Sequence, residues 1–327
     1  MVTRRTTIFG GAALALAATG QAQAQTFPDR PVRLVVGYPP GGNVDFTARL
    51  LQPAMSQALG QPVVVENRAG AGGIVGTDAV AKARPDGHTM LITGTAPVSI
   101  FPVAMERLPY DPLRDFAPIG MAYRVPIVLM VAKDITARSL AEFVAAAKST
   151  PGGFSAGTAG TGSGAHLAIE LFNAGTGAGL VHVPYRGTGP ALNDLIAGNI
   201  PVMFDQLSSA LQLHADGRAR ILGIASAERS PLLPDVQTLR EAGLVQAELS
   251  TTLGLLAPAG TPAPVVEKLR AALAAALADA TVRDRLTSLG AMIPPAANIT
   301  PAYYGQVIRD ELDIYREAVR LGNVKLE

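Results

Sequence analysis

The chain has no cysteine and no tryptophan among its 327 residues. Without cysteine, thiol catalysis, disulfide bonds and thiolate metal sites are excluded. The four histidines are scattered and form no His-x-x-x-His pair, so we expect no metal site. The chain has 27 Lys and Arg residues against 26 Asp and Glu residues, so it lacks the basic excess typical of a nucleic-acid-binding protein. We therefore expect no nucleic-acid partner, and the length allows two domains.

The first 24 residues have the pattern of a cleaved export signal. Arg4 and Arg5 form a charged head, residues 8–18 an apolar middle, and Ala22-Gln23-Ala24 a small-residue cleavage site. The apolar run is about half the length that a membrane span needs. The sequence predicts a signal peptide over residues 1–24, with cleavage near Ala24 and a periplasmic mature protein. The paired arginines fit a twin-arginine signal, and an ordinary secretory signal also fits.

A strand, a glycine-rich turn and a helix follow each other near the start of the mature chain. Residues 34–36 are an apolar run typical of a buried strand, and prolines and glycines at 37–42 end it. Asn43 is predicted to cap the next helix, with Asp45 in its first turn. A glycine turn before a helix N-terminus presents backbone N–H groups that suit a phosphate or carboxylate. A tight connection that binds nothing is the alternative.

Short apolar strands alternate with helices through most of the chain, which predicts an α/β fold with parallel sheets. One of these strands is predicted over residues 89–93. Helix starts are predicted at a capping box that begins with Ser139, at 185–190 with Pro190 as the first helical residue, at Thr261-Pro262 and at Thr300-Pro301, and the spacing of Tyr315 in the last helix is typical of a core residue. A second glycine-rich turn, at 157–164, also lies between a strand and a helix. The segments 119–131 and 253–257 are predicted to be extended and to cross between the two halves. Open α/β sheets bind ligands at the carboxyl ends of their strands, so two such edges facing each other would form a cleft.

The second turn also fits the dinucleotide pattern G-x-G-x-x-A over residues 160–165. However, the following strand ends in Tyr185-Arg186 rather than in the acidic residue of that fingerprint. The same turn suits a carboxylate equally well, through its N–H groups and the hydroxyls of Thr158, Thr161 and Ser163. Ser163 lacks the glycines of a nucleophile elbow.

Three further polar residues allow two interpretations each. His166 is expected in the first turn of a helix, as a donor or a packed ring. Asp205, at the end of a strand, either fixes a hydroxyl or ammonium group of a ligand or accepts backbone N–H bonds at the next helix start. Asp45 presents the same choice.

Taken in order, six segments of the mature chain resemble the extracytoplasmic solute-binding proteins of tripartite tricarboxylate transporters, often called the Bug family. They are VVGYPPGGNVDFTAR (35–49), VVVENRAGAGG (63–73), PDGHTML (85–91), HVPYRG (182–187), FD (204–205) and LLAPAGTP (255–262). The resemblance implies a two-lobed periplasmic-binding-protein fold of type II, a Venus flytrap whose lobes are mostly parallel sheets flanked by helices. Residues 25–124 and 230–327 would form lobe 1, and residues 125–229 lobe 2.

The resemblance also implies that the turns at 38–43 and 157–163 together hold a ligand carboxylate. The candidate binding residues are Tyr38, Gly41, Gly42, Asn43, Asp45, Thr93, Thr95, Gly157, Thr158, Gly160, Thr161, Ser163, His166, Tyr185, Thr188 and Asp205. Tyr38 stands where Phe is common in the family, and Asn43 where Ser is frequent. These two differences lie in the binding turn and leave the identity of the ligand open.

The expected function is transport rather than catalysis. The protein would bind a mono-, di- or tricarboxylate or an acidic amino acid as a monomer, without a cofactor, and deliver it to an integral membrane permease. One alternative is a ligand-loaded periplasmic sensor for a signalling system. The other is an exported NADP-dependent enzyme that binds its cofactor at residues 160–165.

Overall fold

The computed structural model of the chain describes residues 27–245 and 248–326. Its strands are β1 (Val32–Val36), β2 (Val63–Asn67), β3 (Thr89–Thr93), β4 (Phe116–Ala132), β5 (Ser155–Thr158), β6 (Val181–Pro184), β7 (Val202–Gln206), β8 (Ala219–Ile224) and β9 (Ser250–Pro258). Its helices are α1 (Asn43–Leu59), α2 (Ile74–Ala81), α3 (Phe101–Ala104), α4 (Leu140–Ser149), α5 (Gly164–Thr176), α6 (Thr188–Ala197), α7 (Leu207–Ala215), α8 (Ala263–Ala278), α9 (Ala280–Ser288) and α10 (Pro301–Gly322). The predicted signal peptide lies outside the described residues.

The strands form one continuous path in the order β2-β1-β3-β9-β4-β7-β5-β6, and β8 also pairs with β4. The outer strands are parallel, as expected: β1 pairs with β2 and β3, and β5 pairs with β6 and β7. The inner strands differ, because β4 and β9 run antiparallel to all of their partners. Each half of the sheet is therefore mixed, with its parallel strands on the outside.

The long strand β4 joins the two halves. Its first part, up to Pro126, pairs with β9, and its second part, from Ile127, pairs with β7 and β8. The prediction of an extended crossing segment over 119–131 is confirmed. The apolar residues of β4 are almost all buried, because helices cover both faces of the sheet.

Helix starts follow local capping chemistry, with three corrections to the predictions. Ser139 and Thr300 cap α4 and α10 as predicted, by accepting the backbone N–H groups of Glu142 and Tyr303. The cap of α1 is Gly42, and Asn43 is the first helical residue.

Two more helices begin at a different residue from the predicted one. Helix α6 begins at Thr188, two residues before Pro190, because Gly187 supplies the positive φ of 110° that ends the preceding loop. Pro262 precedes α8, while the hydroxyl of Thr261 donates instead to the carbonyl of Pro258 at 2.7 Å. A side chain committed to closing a turn is not available as a cap.

The last helix, α10, packs against both halves of the molecule. Tyr304, Ile308 and Leu312 join a core cluster built on β1, β3 and β9. Tyr315 and Ala318 join the cluster that lies under α4 and α5. The C-terminal part of α10 is therefore buried against the second half, although residues 230–327 are predicted to belong to lobe 1.

The chain leaves the second half later than residue 230. The Leu239 N–H donates to the Ile224 carbonyl at 2.8 Å, and Leu249 N–H donates to Ala225 at the same distance. These contacts lie beyond the predicted boundary at 230, in a loop after β8 whose lack of regular structure leaves no periodicity to detect. The lobe boundaries remain predictions, and a boundary near residue 249 fits these contacts. In the described ranges, no helix is long and apolar enough to cross a bilayer.

Candidate functional site

The first glycine turn lies between β1 and α1. Gly37 packs so closely on Gly73 that a Cβ atom there would lie 2.8 Å from the Gly73 carbonyl oxygen, and Gly41 has φ 87°. Both positions therefore favour glycine. Within residues 27–245 and 248–326, no side chain caps the N-terminus of α1 behind Gly42. The first-turn N–H groups of a 17-residue helix consequently remain available for an anion.

Asp45 holds this turn in shape. Its buried carboxylate accepts the Gly41 N–H at 2.9 Å and the Asn67 side-chain amide at 2.9 Å, and it pairs with Arg49 at 2.9 Å. The Arg49 guanidinium, followed by the Gly41 and Asn67 donors, lowers the pKa of Asp45 to about 2. Of its two interpretations, these contacts support the structural one.

Tyr38, Thr93 and Thr95 lie at or just after the ends of β1 and β3. The Tyr38 side chain hydrogen-bonds to Thr93, and burial raises the pKa of the Tyr38 hydroxyl. Thr95 accepts the Thr252 N–H on its Oγ1 atom at 2.7 Å. This contact joins the end of β3 to β9.

The second glycine turn precedes α5. Ser163 caps that helix, because its Oγ accepts the His166 N–H at 3.2 Å. Thr158 Oγ1 accepts the Gly160 N–H at 3.2 Å. Gly162 has φ 76° and donates its N–H to Nδ1 of His166 at 3.2 Å. The hydrogen-bonding groups inside this turn therefore mostly hold one another, while Ser163 lies at its outer end.

Three more predicted residues lie on the elements that follow. The Tyr185 hydroxyl donates to Asp194 at 2.7 Å. Asp205 is buried, accepts the Ser209 hydroxyl at 2.9 Å, and is also hydrogen-bonded by the Gln206 N–H and the Thr188 side chain. Burial raises the pKa of Asp205. The acceptor role at a helix start is the one that these contacts support.

Both glycine turns contribute to one cavity of about 450 Å³, which we call the central cavity. It is lined by Tyr38, Pro39, Pro40, Gly42, Asn43, Val44, Gly94, Thr95, Ala96, Ile100, Ser163, Gly164, Gln206, Ser250, Thr251, Leu253 and Tyr315. Among the described residues that line it, none is acidic, basic or histidine. The N-termini of α1 and α5 both open onto it, so peptide dipoles supply its positive potential.

The central cavity brings together five of the predicted binding residues, namely Tyr38, Gly42, Asn43, Thr95 and Ser163. The others do not line it: Gly41, Asp45, Thr93, Gly157, Thr158, Gly160, Thr161, His166, Tyr185, Thr188 and Asp205. Most of these hold the turns through the contacts described above. Thr161 is exposed, and a Cβ atom on Gly157 would lie 2.5 Å from Ile200.

Four polar residues of the cavity are absent from the predicted set. Gln206 directly follows the predicted Asp205 at the same strand end, and of these two residues it is Gln206 that lines the cavity. Ser250 and Thr251 begin β9, which carries no motif of its own. Tyr315 was assigned to the core from its helical spacing, and it is buried, yet it also lines the cavity and its hydroxyl donates to the Ser250 carbonyl at 3.1 Å.

Comparison with known proteins places the chain in a family. The family model described as tripartite tricarboxylate transporter family receptor matches residues 47–317. A UPF0065 protein from a Pseudomonas species is 44% identical over 290 residues, which cover 88% of this chain and 86% of that protein. BugT from Bordetella pertussis is 37% identical, with 93% of each chain covered.

Solved structures of similar proteins share the fold. The periplasmic binding protein BugD is 34% identical, covers 92% of this chain over its whole length and has a TM-score of 0.77. MatC from Rhodopseudomonas palustris with bound malate is 36% identical, with 90% of this chain and 100% of that one covered and a TM-score of 0.76. A second R. palustris protein, solved with adipate, is 31% identical over 91% of this chain and 99% of its own, at a TM-score of 0.79.

The match extends over most of the chain, and the family model includes the second glycine turn at 157–164. The mixed α/β sheet with flanking helices is thus the fold of these periplasmic binding proteins. The chain belongs to the tripartite tricarboxylate transporter receptor family, the periplasmic solute-binding proteins of the Bug type.

Proposed function

We propose that this protein captures a small organic carboxylate in the central cavity and delivers it to a tripartite tricarboxylate-type membrane permease. The observation that carries the proposal is the meeting of two helix N-termini, those of α1 and α5, at one cavity. Malate and adipate, the acids named with two of the similar structures, are dicarboxylates. A ligand with a carboxylate at each end would place one at each of the two helix N-termini, where the positive ends of the peptide dipoles lie.

The remaining lining residues fit the rest of such a ligand. Val44, Ala96, Ile100 and Leu253 offer apolar contacts to a short carbon chain. The hydroxyl and amide groups of Asn43, Ser163, Gln206 and Thr251 can orient carboxylate or hydroxyl oxygens. A volume of about 450 Å³ suits a molecule of this size together with bridging waters.

A thermal-shift screen of the mature protein tests the binding step. Succinate, malate, adipate and citrate form the panel, with 1,4-butanediol as the uncharged control. A true ligand at 100 times its dissociation constant stabilises by about 2.7 kcal/mol. Absence of a shift with every carboxylate would contradict the proposal.

A charge placed at one helix N-terminus tests the site. Ser163→Asp keeps a good capping residue on α5 but adds a negative charge beside the central cavity. We expect it to weaken carboxylate binding at least about tenfold through charge repulsion. Ser139→Asp, at the cap of α4, is the matched control, since it makes the same exchange at a helix start that does not line the cavity. Equal effects of the two variants would show that the carboxylate does not bind in the central cavity.

Delivery and export require cellular measurements. Deletion of the gene should abolish uptake of the labelled acid, and the wild-type gene, but not Ser163→Asp, should restore it. For export, the proposed signal over residues 1–24 is tested by fractionation, and replacement of Arg4 and Arg5 by lysine would block only twin-arginine transport. Light scattering checks the proposed monomer.

A further inference from the structure

Two histidine rings are stacked beneath the second glycine turn. The rings of His166, on α5, and His182, on β6, are nearly parallel, with an interplanar angle of 17° and centroids 3.8 Å apart. Neither residue lines the central cavity. The pair therefore has no direct part in the ligand contacts proposed above, although it lies next to them.

His166 contacts one end of the turn. Its Nδ1 accepts the Gly162 N–H at 3.2 Å, and its main-chain N–H donates to Ser163 Oγ at the same distance. Because Nδ1 is an acceptor, the ring proton lies on Nε2, which is 3.6 Å from the Glu170 carboxylate. Gly162 adopts φ 76°, a conformation that glycine takes without steric cost, so the bond to His166 selects one of several conformations open to this residue.

His182 contacts the other end of the turn. Its Nε2 lies 2.7 Å from Thr158 Oγ1, and that same oxygen accepts the Gly160 N–H at 3.2 Å. The two stacked rings thus contact Thr158 and Gly162, near the two ends of the turn. The residues between them form the turn that ends at Ser163, in the wall of the central cavity.

We infer that His166 and His182 are positioning residues, which fix the 158–163 turn and with it the Ser163 wall of the central cavity only while both rings are neutral. The affinity consequence of this inference rests on the proposed function; the structural consequence for the turn does not. Protonation of His166 at Nδ1 would turn the acceptor of the Gly162 N–H into a second donor, and protonation of both rings would place two cations face to face.

The surroundings of the pair favour the neutral rings. Burial lowers the pKa of both histidines, and with the added effect of His166 the pKa of His182 falls to about 4. Glu170, on the same helix as His166, faces Nε2, and burial raises the pKa of this carboxyl. From α10, the Tyr315 hydroxyl lies 3.5 Å from where a Cβ atom on Gly164 would be, at the start of α5. Since the folded pKa values lie below the unfolded value, acid favours the state in which the pair is broken.

Paired substitutions at residue 166 test the inference. His166→Leu removes the acceptor of the Gly162 N–H, and His166→Asn restores an oxygen near the position of Nδ1. His214→Leu is the matched control, because His214 Nδ1 accepts the Ile221 N–H, also at 3.2 Å, on α7 away from the cavity. Hydrogen exchange of peptides covering 157–164 is measured at pH 7 without ligand. Affinity is measured for the acid of the succinate, malate, adipate and citrate panel that shifts the wild type most.

We expect His166→Leu to speed exchange across the turn and to weaken binding about tenfold, the value of one hydrogen bond to a preorganised site. His166→Asn should restore both, and its affinity relative to the wild type should rise as the pH falls from 7 to 4.5. His214→Leu should lower only the melting temperature. The inference would be overturned if His166→Leu exchanged hydrogen at the wild-type rate. It would also be overturned if His166→Asn failed to restore the slow exchange that His166→Leu loses.

Two further outcomes are also decisive. If no acid of the panel binds the wild type, the proposed function fails while the exchange measurements still decide the role of the pair. If His166→Leu does not fold, His182→Leu and His182→Gln replace the comparison, since only glutamine keeps a polar group toward Thr158. His182→Leu should then speed hydrogen exchange across the turn, and His182→Gln should restore the wild-type rate.

Discussion

The Tyr123 hydroxyl donates to Oδ1 of Asn43 across 3.3 Å, which ties the strand joining the two halves of the sheet to a residue of the central cavity. The same hydroxyl lies 2.8 Å from Oγ1 of Thr47, whose own hydroxyl donates to the Asn43 carbonyl. Burial raises the pKa of Tyr123 to about 12. The first turn of α1 is therefore positioned from β4 as well as from its own loop.

Removal of this hydroxyl should affect stability and binding together. We expect Tyr123→Phe to lower the free energy of unfolding by about 1 kcal/mol and to weaken carboxylate binding several-fold, since a buried hydrogen bond is lost and Asn43 is released. Urea unfolding and calorimetric titration measure the two effects. Tyr110→Phe is the control, because its hydroxyl donates to Pro97, which does not line the cavity. A binding loss as large in the control would contradict the role of Tyr123.

The carboxylate of Asp45 should stabilise the protein above about pH 4. Its pKa is lowered to about 2, so the stabilisation is present above the unfolded value near 3.9 and is lost as the pH falls toward 2. We expect Asp45→Asn to cost about 1–2 kcal/mol at pH 7, and the difference from the wild type to vanish near pH 2. Asp313→Asn breaks the exposed pair with Arg316 and should change stability by less than about 0.5 kcal/mol. A pH-independent difference for Asp45→Asn would rule out the ion pair as its cause.

Glu311, on α10, is a buried carboxyl group behind the cavity wall. The hydroxyls of Ser99, at 2.7 Å, and Thr252 donate to it, and Thr252 in turn donates its N–H to the cavity residue Thr95. Burial raises the pKa of Glu311 to about 7. The folded state therefore favours the protonated acid over a range where the unfolded chain is ionised.

Stability should consequently fall as the pH rises through this range. Between pH 5 and 8 we expect the wild type to lose about 2 kcal/mol from this group, while Glu311→Gln loses nothing from it. Urea unfolding at half-unit pH steps measures the slope. Glu317→Gln, on the exposed side of the same helix, should keep the wild-type slope. Identical slopes in Glu311→Gln and the wild type would show that Glu311 is ionised throughout.

The cavity should select against ligands that carry an ammonium group. No carboxylate lines it among the described residues, and Asp205, the predicted partner of such a group, is engaged by Ser209 and Thr188. We expect succinate to bind at least about tenfold more tightly than aspartate, because a buried ammonium without an acceptor is costly. Competition titration measures the ratio. Tighter binding of aspartate than of succinate would indicate that Asp205 contacts the ligand, and Asp205→Asn should then abolish the preference for aspartate.

Local chemistry was enough to predict most elements of the fold. The apolar run that forms β3 was predicted with the observed bounds, and the caps Ser139 and Thr300 start their helices as expected. Each of these depends on residues close together in the chain. The insertion of β9 between β3 and β4 was not predicted, because the choice of a strand partner depends on contacts more than 100 residues apart.

The candidate site was predicted at the level of its turns rather than its side chains. Both glycine turns reach the central cavity, since glycine and proline determine where the backbone turns. Which polar groups then face the cavity depends on competing local partners. Asp45 is engaged by Arg49 and Thr158 by His182, so neither lines the cavity, whereas the unassigned Gln206 does.

The placement of β9 also has a consequence for the order of folding. The ribosome makes every strand of the second half by residue 224, but the first half lacks its central strand until residues 250–258 have emerged. Synthesis from the N-terminus therefore allows the second half to complete its strand pairing first, while β3 in the first half still lacks its partner β9. Chains truncated before residue 250 should consequently expose the edge of β3 and aggregate.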